Sequence, residues 1–94
     1  MVAYITGHEN DKGMRIRGKI ILNVANPQIA DVIYASLLPE TQNQPSYRSR
    51  SSIEKSNEKV ILAVEARDLT SFRAAMNSYL RLIHVLVRVL SEID

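Results

Sequence analysis

Leu69, Phe72, Met76, Leu80, Ile83, Val87 and Leu90 recur at intervals of three or four through residues 68–94, a stretch with neither proline nor glycine. That spacing predicts one long helix with a continuous buried stripe. Asp68 stands where an N-cap belongs, its carboxylate placed to take a free amide of the first turn. A helix of this length needs something broad and apolar to lie on, and the rest of the chain has to supply it.

Two stretches do so. From Met14, the residues Met14, Ile16, Gly18, Ile20, Leu22 and Val24 fall on one face of a strand and Arg15, Arg17 and Lys19 on the other. Ile21 breaks the polar alternation and is expected to lie under a neighbour. Residues 60–66 alternate again, Val60, Leu62 and Val64 against Ile61, Ala63 and Glu65. The polar, serine-rich segment 47–55 precedes them across the turn Ser56-Asn57-Glu58, so the two are read as a hairpin. Between the first strand and the hairpin, Asn26-Pro27 reads as an N-cap followed by proline at the first helical position. Ile29, Val32, Ile33 and Leu37 continue at helical spacing to an end near Pro39, and residues 40–46 read as a loop.

The order is β-α-β-β-α, and its simplest packing is an α+β two-layer sandwich: a three-stranded antiparallel sheet with two helices on one face. With 94 residues there is room for one domain, placed at 14–94. Residues 1–13 show no clear period and are read as a mobile lead-in or a loose extra strand. They carry Glu9 and Asp11 and no long apolar run, unlike a signal peptide, and no stretch approaches a membrane span.

The composition narrows the chemistry. The absence of cysteine excludes disulfides, a thiolate nucleophile and a Cys-ligated zinc, and fits the reducing cytoplasm. No Gly-rich phosphate loop, G-x-S-x-G or H-E-x-x-H is present. His8 and His84 are the only histidines. No catalytic residue, metal site or cofactor is expected.

Surfaces are more informative. At ~100° per residue, Arg73, Asn77, Arg81, His84 and Arg88 share a narrow arc of the long helix that contains no acid. Such a face is most often merely solvated; the missing carboxylates favour a contact surface. Leu82, Val85, Val89 and Ile93 form a second apolar flank beside the core stripe. It is wider than a surface helix needs, and the first helix is too short to cover its whole length. Tyr79 sits at core spacing, so its ring is structural on this reading and its hydroxyl should find a partner at the rim. On the sheet, Arg15, Arg17, Lys19, Arg48 and Arg50 fall on the face that two helices leave uncovered. They either keep that face soluble or contact phosphates. Without interleaved aromatics, a shape-based contact with an RNA backbone is expected there rather than sequence reading.

The second half of the chain also carries a family resemblance. Ser46-Tyr47-Arg48-Ser49, the hairpin, Ala66-Arg67-Asp68, and Arg73-Ala74-Ala75-Met76-Asn77-Ser78-Tyr79-Leu80-Arg81-Leu82-Ile83 resemble the Pcc family, the small subunits of the KEOPS complex, archaeal-like in character. Ile33-Tyr34-Ala35-Ser36-Leu37 resembles that family's first helix. The resemblance implies the same β-α-β-β-α fold and a non-catalytic subunit. Such a subunit dimerises with itself or a paralogue, docks on the catalytic subunit, and helps hold tRNA while the complex makes threonylcarbamoyladenosine. It places Arg73, Asn77, Tyr79 and Arg81, with Leu82, Val85 and Val89, at the partner surface. It gives Arg48 a place at the hairpin entry. The short hairpin turn without glycine and the segment before Gly13 depart from the family pattern. An independent RNA-binding module using the basic sheet face is the alternative expectation; an enzyme finds no support in any constellation.

Overall fold

The computed structural model describes the backbone of residues 2–9, 16–42 and 48–93, and the side chains of residues 16–42 and 48–92. The chain runs β1 (Val2–Glu9), β2 (Ile16–Asn23), α1 (Pro27–Gln42), β3 (Ser49–Ser56), β4 (Lys59–Ala66) and α2 (Leu69–Ile93). The fold is the expected α+β sandwich, with β2, β4 and β3 antiparallel and both helices packed on one sheet face. A fourth strand is added to it. The segment read as a lead-in or loose extra strand supplies β1, antiparallel to β2 from Val2↔Asn23 to Glu9↔Ile16, and the sheet order is β1-β2-β4-β3.

Alternation decides the layers. Ile20, Leu22, Val60, Leu62 and Val64 point inward and are essentially sealed from solvent, as are Ile33 and Leu37 from α1. Each such side chain contributes about 1.5–3 kcal/mol relative to exposure. α1 lies over β3 and β4, and α2 over β4 with contacts to β2, β3 and α1. On α1 the buried stripe is Ala30, Ile33, Leu37 and Thr41. Val32, expected on that stripe, is exposed instead. The four buried positions share an arc of about 80° at ~100° per residue, and Val32 lies nearly opposite. Ala30, fully buried, takes its place on the stripe.

The helix ends follow the sequence signals with one exception. Asn26 Oδ1 accepts from the amides of Gln28 (2.7 Å) and Ile29 (3.4 Å), and Pro27 opens α1. At the far end α1 passes the expected stop at Pro39 and continues to Gln42. Proline at this point lies in the last turn and removes only one ladder bond, to the Ala35 carbonyl. Thr41 holds the extra turn, buried, with its hydroxyl donating to the Leu38 carbonyl at 2.8 Å. Asp68 caps α2 by accepting from the Ser71 amide at 2.7 Å.

The β3–β4 hairpin closes through Asn57 and Glu58. Asn57 has φ 55°, a left-handed conformation that asparagine accepts where most residues resist it, so no glycine is needed. The Val24 amide donates to the Glu58 carbonyl at 2.9 Å and fastens this turn to the end of β2. At the hairpin's open end the Arg67 amide donates to the Arg48 carbonyl at 2.9 Å.

Candidate interaction surfaces

Among the described residues, no group of three or more His, Cys, Asp or Glu converges as a metal site, and no helix is long and apolar enough to cross a membrane. The functional interest lies on two faces.

The first is the outer side of α2. At ~1.5 Å per residue this 25-residue helix spans about 37 Å, against about 26 Å for an eight-residue strand at ~3.3 Å. The sheet therefore cannot lie under all of it. Going round the helix, Met76, Tyr79 and Ile83 are buried; Phe72, Leu80, Leu86, Val87 and Leu90 pack at the core's margin. Leu69, expected to open the stripe, is exposed at the first turn. Beyond that margin Leu82, Val85 and Val89 are 36, 57 and 49% exposed. The expected second apolar flank is thus uncovered within the monomer as far as Val89; the side chain of Ile93 lies outside the described residues. Next to it, Arg73, Asn77, Arg81, His84 and Arg88 are all exposed, and a shallow notch opens between Asn77, Leu80, Arg81, His84 and Val85. From 69 to 91 the helix contains no carboxylate. An apolar strip bordered by arginines suits another helix with a matching apolar face and acidic margin.

Tyr79 stands apart from this surface. Only 7% exposed, it turns into the core, and its hydroxyl meets Ser51 Oγ on β3 and, at 3.4 Å, the Glu40 carbonyl near the end of α1. It therefore joins three elements and offers a partner little surface, although it sits in the same motif as Asn77 and Arg81.

The second face is the uncovered side of the sheet. Register aligns Arg17 (β2), Glu65 (β4) and Arg50 (β3) in one row, and Lys19, Ala63 and Ser52 in the next. Together they line a shallow open concavity. Arg17, Lys19 and Arg50 share the face as expected. Arg48 is exposed just before β3, and Arg15 lies outside the described residues. One feature was not anticipated. Arg17 Nε lies 3.0 Å from Glu65 Oε2, so one cation of the row is partly neutralised within the chain. Farther along, Ile21 faces Ile61 and both are half-buried on this outer side. The signal for the ion pair lay in the alternation that put Glu65 on this face; its partner could be named only once the register was known.

Arg48 also has a local role. The Asp68 carboxyl is held below its ordinary value by hydrogen bonds from the Ser71 amide and hydroxyl, with smaller contributions from the charges of Arg48 and Arg67.

The architecture of the described residues is thus that of a two-layer α+β domain with two extended, exposed faces. The sequence family described as "Transcription factor Pcc1" matches residues 17–91, most of the chain, and the protein belongs to that family. Among its relatives is the KEOPS complex subunit Pcc1 of Pyrococcus abyssi (strain GE5 / Orsay), 38% identical over 80 residues that span 85% of this chain and 98% of the relative. β1 precedes the family match entirely.

Proposed function

We propose that this chain is a non-catalytic, dimerising scaffold subunit of a KEOPS complex, the assembly that makes threonylcarbamoyladenosine in tRNA. It docks on the catalytic subunit through the outer side of α2 and helps to hold tRNA with its basic residues. Its dimer partner is a second copy or a paralogue. The observation that carries this reading is the exposed Leu82, Val85 and Val89 strip beside an acid-free arginine ribbon, on a chain 38% identical to a KEOPS subunit.

Assembly with the catalytic subunit tests the reading. Val85 and Val89 are each about half out of water in the monomer, so covering them on docking adds about 1 kcal/mol apiece. The double variant Val85→Glu/Val89→Glu loses that and places two charges in the contact. It should weaken binding at least about 30-fold while leaving the circular dichroism of the free chain unchanged. Binding of normal strength by a folded double variant would show that the contact lies elsewhere.

The alternative, a stand-alone RNA-binding module, has one observation in its favour: Arg17, Lys19 and Arg50 share a sheet face that neither helix covers. It requires the isolated protein to bind RNA with affinity that falls steeply as salt rises. Failure to bind at low salt would remove it.

A further inference from the structure

The two edges of the core sheet differ in kind. β3, which forms one edge, reads Ser-Arg-Ser-Ser-Ile-Glu-Lys-Ser, with charges and hydroxyls of the sort that protect a free edge. β2 reads Ile-Arg-Gly-Lys-Ile-Ile-Leu-Asn and has apolar residues on both faces: Ile20 and Leu22 inward, Ile21 outward against Ile61. Over Ile20-Ile21-Leu22 that is the composition of a central strand. In the family-matched core of residues 17–91, however, β2 would be an edge, because its only neighbour there is β4. An eight-residue edge without proline, with the apolar run Ile20-Ile21-Leu22 toward one end and Arg17 and Lys19 toward the other, is a template for adding another strand, and a second copy of the same edge is an available one.

β1 removes that template. It pairs with β2 along all eight residues, from Val2↔Asn23 to Glu9↔Ile16, with no break in register. We infer that β1 is a cover acting within its own chain. It occupies the β2 edge and reserves it from strand-to-strand pairing with the β2 of a second copy. Any dimer of this protein must then join through a surface other than the β2 edge. The inference does not rest on the KEOPS reading: it follows from the strand order and from the contrast between β2 and β3.

The absence of cysteine allows a clean test. Thr6 and Lys19 are Cα partners across β1 and β2. In the otherwise intact chain, Thr6→Cys/Lys19→Cys should oxidise to a bond within one chain and run as a monomer on a denaturing, non-reducing gel. A covalent dimer would show that β1 is exchanged between copies; no bond at all would show that β1 is not on β2. Either result overturns the inference. Deleting residues 1–13 should double the mass measured by light scattering relative to the full chain at equal concentration, with β2 amides still protected from hydrogen exchange. A folded truncation with the mass of the full chain contradicts the proposal. If the truncation does not fold, Ile5→Pro in the full chain interrupts the same ladder. It should produce the same doubling, and an unchanged mass overturns the inference.

Discussion

Replacing Tyr79 by phenylalanine separates the two roles that its place in the motif suggests. The ring is buried among α2, β3 and α1, and the hydroxyl bonds Ser51 Oγ with a longer contact to the Glu40 carbonyl. Removing the hydroxyl alone deletes one good bond and one weak one, a net loss of about 1 kcal/mol. In a domain of this size that lowers Tm by about 4–8 °C. Tyr79→Ala also empties the ring's place and should cost about 3–5 kcal/mol, a large fraction of the roughly 5–15 kcal/mol that holds such a domain together. Thermal and urea unfolding measure both variants, and m-values show whether the comparison is two-state. The phenylalanine variant should bind the catalytic subunit as the parent does, because the hydroxyl faces inward. A Tyr79→Phe protein with unchanged Tm would refute the three-element link. One with unchanged stability and lost binding would return Tyr79 to the interface.

Other predictions follow from local geometry. Asn57→Gly should be close to neutral and Asn57→Val should lose about 1–2 kcal/mol by chemical denaturation, because valine resists the left-handed conformation that the turn requires. Asp68→Ala should lower Tm by removing the α2 cap. Since the Asp68 pKa is lowered in the folded state, its contribution is complete above the ordinary value of 3.8 and is lost as pH falls through the lowered one. The Tm gap between parent and Asp68→Ala should therefore narrow in acid and stay constant at neutral pH. Asp31→Asn, which breaks the exposed ion pair to Lys55, should change stability by less than about 1 kcal/mol.

What was legible in the sequence depended on how local its cause was. Asn26-Pro27 and Asp68 announced their helices because capping is decided within four residues, and both caps form. The inward set Ile20, Leu22, Val60, Leu62 and Val64 followed from alternation. Val32 was placed on the α1 stripe for its hydrophobicity, whereas the 30, 33, 37, 41 spacing puts Ala30 on the buried arc and leaves Val32 nearly opposite it. Pro39 misled because proline is a strong stop signal mid-helix but a mild one in a last turn whose next residue, Thr41, is buried and bonded. β1 carries no strong periodic signal of its own; its place comes from the edge that β2 offers, a non-local fact. The α2 flank was visible because it needed only one helix's periodicity. The Arg17–Glu65 pair on the sheet was not, because it depends on the register of two strands separated by α1 and β3.

Hydroxyl-radical footprinting of the protein, alone and saturated with the KEOPS catalytic subunit, tests the central claim most directly. Leu82, Val85 and Val89 are exposed in the free chain and should lose most of their reactivity in the complex, while Ile21 and Ile61 on the outer sheet face remain as reactive as before. Protection of Ile21 and Ile61 with Val85 and Val89 unchanged would contradict the account and move the partner surface from α2 to the sheet.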